Sequence, residues 1–294
     1  VGSISFESTK KNKVPYSISG GDLYIDPSVG ASLEDPYVFP SYSDPSMSSP
    51  NFVATTDTTI NWANVPPSPV AITTLPGVQL TLDCDIDSGV IHGKGDVIVT
   101  SGSYDADLYV DGNLTLGSCD FNGDIYVRGN FNGQNAVIRG NLIVDGNITW
   151  SSGYSVGDIQ AGGFVDIRDA SSVCSIAAVS DIYIESVGIS AGLIYSSGNI
   201  TIGDCAVSAV LYSYGDLVIT GGMYVEGAIF AKEDFYFQNP GPYMNMGYDP
   251  EFVKSIIDEA NINLFGGGGG GGTQPTLDAS IFVSQEITPV GRVN

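Results

Sequence analysis

The sequence predicts an all-β fold, a single-stranded triangular β-helix (solenoid) with coils of about 17 residues. A motif of Gly, then Asn or Asp, then alternating apolar residues recurs along the chain, as in residues 95–99 and 112–116. A second strand pattern begins 11 residues after the first, and a third apolar position falls between them. Three sides in one repeat predict a triangular coil with sides of about 15 Å or less. The second residue of each copy lies at 96, 113, 130, 147, 164, 181, 199, 216 and 234.

The pattern divides the chain into four segments. Residues 1–76, rich in Pro, Ser and Thr, are predicted to be an extended N-terminal arm with short strands, because Pro cannot donate to a strand ladder. Residues 77–238 carry the continuous period and are predicted to be the solenoid. Residues 239–265 are predicted to be a Pro-rich break and a capping helix, and residues 266–294 a polyglycine linker and a C-terminal strand.

Three elements are predicted outside the array, the first being a strand at residues 19–25, which looks like a detached copy of the repeat. Asp249 as N-cap and Pro250 as first helical residue precede an apolar stripe, which predicts the C-terminal helix. After the glycines, Ile281, Phe282 and Val283 form the strongest strand signal. A strand on a flexible tether is suited to adding to a sheet edge, either in its own subunit or in the next.

Alternation predicts which residues of the first strand pattern point inward. The residues between them include Thr115 and Thr149, so this first face is predicted to be solvated. Phe131 and Gly133 form the weakest copy and are a candidate position for a β-bulge. The other inward pairs are Leu80/Leu82, Val97/Val99, Leu114/Leu116, Ile148/Trp150, Val165/Ile167, Ile182/Ile184, Ile200/Ile202, Leu217/Ile219 and Phe235/Phe237.

The second strand pattern carries an outward column that is aromatic at first and mostly apolar later. Such a column along a sheet is a contact surface. Either the chain's own arm or C-terminal helix covers it, or a neighbouring subunit does. Its interface candidates are Tyr109, Tyr126, Ile143, Ile194, Leu211 and Ile229, with Ile281, Phe282 and Val283 as candidates in the C-terminal strand.

Charge and composition limit the partners. The net charge is −23 with only ten Lys and Arg residues, so the basic footprint of a nucleic-acid-binding protein is missing. No run of about 20 apolar residues predicts a membrane span. The sequence starts at Val1 without Met, from which we expect a processed, exported protein at the extracellular cell surface.

Asp83, Asp85 and Asp87 resemble the opening of a calcium loop. An EF-hand needs Gly at the sixth position and Glu at the twelfth, where this chain has Ser88 and Lys94, so that family is excluded. A looser calcium site of three carboxylates remains one interpretation, and solvated turn residues are the other. We expect no other cofactor.

Asn113, Asn147 and Asn199 begin N-glycosylation sequons at one phase of the repeat. Either they are glycosylated in an exported protein, or corners favour Asn and outward strand positions favour Thr. The four cysteines match neither a metal-binding nor a disulfide pattern and are expected to be buried thiols. His92 is the only histidine, so a catalytic triad has no assigned partners and we expect no enzyme.

The copies Gly-Asn-Leu-Thr-Leu (residues 112–116) and Gly-Asp-Ile-Tyr-Val (residues 123–127) resemble polymer-forming β-solenoid domains, of which bactofilins are the best-known members. Similar repeats occur in exported, pilus-associated proteins, where a Pro-rich break and a short helix can follow. The resemblance covers a little over half of the chain. It implies self-association and supplies no catalytic residues.

The leading hypothesis is therefore an exported structural subunit that self-assembles with copies of itself into a cell-surface filament, through solenoid ends and strand-adding arms. The alternative is a surface adhesin or pilus-tip module that binds a glycan or calcium. A carbohydrate-active β-helix enzyme is the third hypothesis.

Overall fold

A computed structural model describes residues 4–7, 45, 47, 49–231, 233–238, 244–247 and 255–256. It confirms an all-β parallel solenoid with coils of about 17 residues. The predicted strand at residues 19–25, the polyglycine segment and the strand at Ile281, Phe282 and Val283 lie outside the described residues, as does all of the predicted C-terminal helix except the helical residues Ser255 and Ile256.

The chain divides into two compact units. One unit comprises Phe39–Gly188, and the other comprises Val1–Val38 with Ile189–Asn294. The strands in chain order are β1 (Ile4–Glu7), β2 (Phe52–Ala54), β3 (Thr58–Asn61), β4 (Val70–Thr74), β5 (Leu80–Asp83), β6 (Ile86–Gly93), β7 (Val97–Val110), β8 (Leu114–Phe121), β9 (Ile125–Val127), β10 (Phe131–Ile138), β11 (Leu142–Val144), β12 (Ile148–Ser155), β13 (Ile159–Ala161), β14 (Val165–Ser172), β15 (Ile176–Ala178), β16 (Ile182–Glu185), β17 (Gly188–Ser196), β18 (Ile200–Ser213), β19 (Leu217–Ala231), β20 (Phe235–Gln238) and β21 (Met244–Gly247).

In the unit Phe39–Gly188, the strands stack in parallel along three faces. The first face runs through β3, β5, the starts of β7 and β8, β10, β12, β14 and β16. The second face runs through β2, β4, the ends of β6 and β7, β9, β11, β13 and β15. The third face is formed by the start of β6, the middle of β7 and the ends of β8, β10, β12 and β14.

The core of each coil is filled by the side chains that alternation predicts. The predicted inward pairs of the first face are buried from Leu80/Leu82 to Leu217/Ile219. Tyr104 and Phe121 stack inside the third face with ring centroids 4.5 Å apart. The buried inward hydroxyl of Ser155 donates to the carbonyl of Gly157 at 2.9 Å, so this polar group is satisfied.

The predicted bulge at Phe131 and Gly133 is wrong. Both residues stay in register, Phe131 with Ile148 and Gly133 with Trp150. A Cβ atom at Gly133 would lie 2.9 Å from the Phe131 ring and 3.0 Å from Trp150. Gly133 is needed because the fully buried indole of Trp150 occupies the space that a side chain would take.

The parallel stack begins before the predicted boundary at residue 77. Strand β2 pairs with β4, and β3 pairs with β5, so residues of the Pro-rich segment supply early coils. In the other unit, β21 pairs with β19 within the predicted break. Sequence analysis did not predict either extension of the stack, because the strands there are short and lie close to prolines, at residues 66, 67, 69, 240 and 242.

The four cysteines are free thiols, as expected. Cys84, Cys119 and Cys205 are buried, and Cys174 is half-buried. Burial, with a smaller contribution from the charge of Asp120, raises the pKa of Cys119 to about 12. The three buried cysteines therefore act as small hydrophobes rather than as reactive groups.

The corner between the first and third faces requires left-handed backbone. Asn135, Ser152 and Asp169 have φ of 53°, 60° and 53°, a region that Asn and Asp tolerate better than β-branched residues. Gly153 follows with φ of 125°. A Cβ atom on Gly153 would lie 2.1 Å from the carbonyl oxygen of Ala136 in the preceding coil.

Replacing Gly153 with Ala is therefore expected to lower the free energy of unfolding by about 3 kcal/mol or more, from backbone strain and overlap together. Gly77→Ala is the matched control, because Gly77 also has positive φ, 76°, but its Cβ would meet nothing within 4 Å. That variant should lose only about 1–2 kcal/mol. Urea unfolding measures both, and equal losses would contradict the close approach of neighbouring coils.

Thiol labelling at pH 8 in native buffer is expected to modify Cys174 alone. Burial raises the pKa of the Cys174 thiol, so its thiolate fraction is low at pH 8, and labelling should accelerate as pH rises towards that pKa. Cys174→Ser is the control and should leave almost no native labelling. Fast modification of a second thiol in folded protein would contradict the burial of the other three.

Candidate functional site

Asn and Asp side chains form a hydrogen-bonded ladder along the corner that leads into the first face. Asp96 Oδ1 accepts the backbone N–H of Asn113 at 2.8 Å, and Asn113 Oδ1 accepts that of Asn130 at 2.9 Å. Asn130 Oδ1 accepts the N–H of Asn147 at 2.9 Å, and Asn147 Oδ1 accepts that of Phe164 at 3.0 Å. Each side chain thus satisfies a backbone donor of the next coil, one repeat later.

The glycine that precedes each Asn or Asp makes room for this ladder. Gly129 donates its N–H to the carbonyl of Gly112 at 3.0 Å, so the glycines form a parallel backbone ladder. A Cβ atom on Gly112 would lie 2.5 Å from Asp96 Oδ1. The Gly-Asx pair is therefore a structural unit, in which Gly allows the approach and Asx supplies the acceptor.

A second ladder follows the corner between the third and second faces. Asp107 Oδ1 accepts the N–H of Asp124 at 3.0 Å, Asp124 Oδ1 that of Asn141 at 2.8 Å, and Asn141 Oδ1 that of Asp158 at 3.1 Å. The first ladder recurs in the other unit, where Asn199 Oδ1 accepts the N–H of Asp216 at 2.8 Å. Many of the Asn and Asp side chains of the repeat are therefore used to join coils.

The three sequon asparagines lie in these ladders. Asn113 and Asn199 are exposed and Asn147 is half-buried. Their Oδ1 atoms accept backbone N–H groups, and Asn113 Nδ2 donates to Asp96 Oδ1 at 3.2 Å. Corner geometry accounts for Asn at this phase, and glycosylation of the three residues stays a prediction.

The tyrosines of the second-face column stack on the outer surface of the unit Phe39–Gly188. Tyr109 and Tyr126 have ring centroids 4.8 Å apart and an interplanar angle of 9°. Tyr126 donates its hydroxyl to Asp124 Oδ2 at 3.3 Å. Both rings are half-buried, and Ile143, also half-buried, follows Tyr126 in register. Burial, followed by the charge of Asp124, raises the pKa of Tyr126 to about 12.

The later members of the column lie in the unit that contains Ile189–Asn294. Ile194 and Leu211 are fully buried within the chain, whereas Ile229, which pairs in register with Leu211, is half-buried. Ile194 and Leu211 therefore offer no free surface to another molecule. The half-buried members Tyr109, Tyr126, Ile143 and Ile229 stay predicted interface positions.

Asp83, Asp85 and Asp87 are exposed, and two of their carboxylates have local partners. Asp83 Oδ1 accepts hydrogen bonds from Ser101 Oγ at 2.6 Å and Thr100 Oγ1 at 2.9 Å, which lower the pKa of Asp83. Asp85 Oδ1 accepts the N–H of Ser103 at 2.8 Å. Among the described residues, no group of three His, Cys, Asp or Glu side chains is arranged to hold a metal ion.

An acidic cleft of about 480 Å³ lies beside the first Gly-Asx corner. Asp57 and Asp96 in its lining accept the backbone N–H groups of Gln79 and Asn113. Asp111, a third lining residue, lies 3.3 Å from the Nε2 atom of the buried His92 and 3.4 Å from the Arg128 guanidinium. These contacts make the cleft part of the corner structure. Asp57 falls outside the regular repeat, so the sequence did not reveal the cleft.

The outer edge of β3 is closed by a side-chain amide. Asn64 Oδ1 accepts the N–H of Asn61 at 2.6 Å, and Asn64 Nδ2 donates to the carbonyl of Thr59 at 2.9 Å. The N–H groups of Asn64 and Val65 both donate to the Asn61 carbonyl at 3.0 Å. Because a carboxamide carries one C=O and one N–H₂, Asn64 replaces the backbone of a further strand at this edge.

The edge of β20 instead receives a strand from a distant part of the sequence. β1 pairs with β20 in parallel, with Ile4 opposite Phe235, Ser5 opposite Tyr236, Phe6 opposite Phe237 and Glu7 opposite Gln238. β20 pairs in turn with β19. The stack thus takes an additional strand that is not part of its consecutive coils.

Comparisons with protein families, curated proteins and solved structures found no match for this chain. Within the described ranges, no helix is long and apolar enough to cross a membrane. The two strand edges were missed as specific sites by sequence analysis. Asn64 lies in an irregular loop, and the β1 segment is too short to show a period.

The corner ladder can be tested with two Asn→Ala variants of one coil. Asn130→Ala removes the acceptor for the N–H of Asn147 and should cost about 1–2 kcal/mol of unfolding free energy. Asn132, exposed on the outer side of β10, is the control, and Asn132→Ala should change stability by less than about 0.5 kcal/mol. If chemical unfolding showed equal losses of unfolding free energy for the two variants, the conclusion that the corner ladder stabilises the fold would be wrong.

Proposed function

We propose that the protein is an exported structural subunit of a cell-surface filament, which assembles with copies of itself by adding strands to its solenoid edges. The observation that carries this proposal is the pairing of β1 with β20, in which a stack edge accepts a strand from outside its own coils. Strand addition to a sheet edge supplies affinity through backbone hydrogen bonds.

The composition of the coil supports a structural role. Large apolar and aromatic side chains, among them Trp150, Tyr104 and Phe121, fill the interior, which leaves no space for a substrate there. The Asp and Asn side chains at the corners accept backbone N–H groups of neighbouring coils. The resemblance of the repeat to bactofilin-like, polymer-forming domains also supports self-association.

The closed edge of β3 supports addition at specific edges rather than at every strand end. Asn64 satisfies edge groups that would otherwise be available to another strand. Natural sheet proteins close edges in this way to prevent uncontrolled association. A subunit with one closed edge and one strand-accepting edge is suited to ordered growth.

Net charge should govern the conditions for assembly. At −23, copies of the chain repel one another, and salt screens this repulsion. Association should therefore strengthen as ionic strength rises, opposite to the behaviour of complexes held by surface ion pairs.

Negative-stain microscopy with sedimentation velocity tests the proposal. Purified protein is expected to form filaments at high salt and to shift towards small species at low salt. Thr149→Lys, which places a positive charge at an exposed first-face position away from the strand edges, is the control and should still assemble. Isolated monomers at every salt and protein concentration would refute the filament. Antibody labelling of intact source cells tests the surface location.

A further inference from the structure

The N-terminal strand has the sequence of a displaced repeat. Residues 2–6 read Gly-Ser-Ile-Ser-Phe, which matches the pattern of residues 198–202, Gly-Asn-Ile-Thr-Ile, with Ser in place of Asn. Ser is a small residue with a side-chain acceptor, like the Asn and Asp of the other copies. Residues 2–6 therefore carry the sequence pattern of the first side of a coil.

The structure places this copy where a further coil would pair. Leu217 lies opposite Phe235, and Phe235 lies opposite Ile4, so β1 continues the ladder of β19 and β20 without a change of register. A segment at the start of the sequence thus supplies the strand that a consecutive coil would otherwise supply near residue 251, one repeat after 234.

A long segment joins β1 to β2. Between Glu7 and Phe52 there are 44 residues (52 − 7 − 1), which extend to at most about 150 Å. The entropy of closing a segment grows slowly with its length. The same backbone hydrogen bonds can therefore form with β20 of the same chain or of another, which is the condition for exchange of a strand between copies.

Charge favours contact between the donor segment and an acidic acceptor. Lys10, Lys11 and Lys13 follow β1 in sequence and are three of the ten basic residues of the chain. The approach to β20 carries the acidic residues Glu233 and Asp234. At a net charge of −23, the repulsion between whole copies outweighs this local attraction, so association should still strengthen as ionic strength rises.

We propose that β20 of one copy binds β1 of a second copy, so that each subunit donates one strand and accepts one. The contact is heterologous, because donor and acceptor are different surfaces, and such contacts propagate into open chains unless they close into a ring. Asn64 closes the β3 edge, whereas β20 is an edge that accepts the β1 strand in the structure, so β20 is the acceptor in this scheme. This inference rests on the proposed function and names its contact.

Disulfide trapping tests the exchange. Ser5 and Tyr236 are in-register partners, and adjacent strands lie about 4.8 Å apart, within the Cα range of a disulfide. The single variants Ser5→Cys and Tyr236→Cys, both in full-length Cys174→Ser protein, are mixed and oxidised. A covalent heterodimer is expected, at least about tenfold more abundant than from Ser5→Cys mixed with Gln238→Cys, which is two residues out of register.

A second in-register pair, Glu7→Cys with Gln238→Cys, guards against a folding defect in either partner of the first. Each in-register pair is also combined in one chain as a double variant. If neither pair of single variants gives a heterodimer, and the double variants form their disulfide only within single chains at every concentration, the exchange is refuted. Absence of any bond in all arrangements also refutes it, because β1 would then not lie at β20.

The double variant Ser5→Cys/Tyr236→Cys separates this inference from the filament itself. Oxidised at high dilution, it locks β1 within its own chain, and filaments should appear only after reduction. Filaments from the locked protein would overturn strand exchange but leave the proposed function intact. Heterodimers without filaments from unmodified protein would retain the exchange and refute the filament.

Discussion

The rest of the structure depends on one interaction, the hydrogen bond from a backbone N–H of one coil to an Asn or Asp oxygen of the coil before. A strand that turns a tight corner leaves N–H groups that the strand ladders do not satisfy. At two of the three corners, a Gly-Asx pair supplies both the acceptor and the room for it. With the corners satisfied, each short side needs only a few apolar residues to fill the coil.

This constraint explains why the fold could be predicted from sequence. The acceptor must recur once per coil, so Gly-Asx appears with a fixed period, and the strand that follows must alternate apolar and polar residues. The inward pairs were therefore predictable residue by residue. The same local requirement explains the sequons, whose Asn residues accept backbone donors at the corners.

Features that depend on contacts between non-periodic segments could not be predicted. Gly133 looked like a weak strand residue, because the partner that needs its space, Trp150, belongs to the next coil. The sequence showed an 18-residue step between 216 and 234, but not where in that step the extra residue lies. In the pairing of β18 with β19, the register shifts between Gly203 and Cys205, so the extra residue lies at the corner opposite them. At that corner Gly221 has φ of 116° and Asp204 Oδ1 accepts the N–H of Gly222. Closure of the β3 edge by Asn64 and the β1–β20 pairing depend equally on irregular sequence.

The corner ladder also determines how the length of such a chain can vary. Duplication or loss of one whole coil keeps every Asx oxygen opposite the N–H that it accepts, and exchanges one set of interior neighbours for a similar one. A single-residue insertion shifts all later ladders unless it falls where a glycine can absorb it, as at Gly221. Homologous proteins of different length should therefore differ by multiples of one coil, with the terminal strands and the Asn64 loop unchanged at either side.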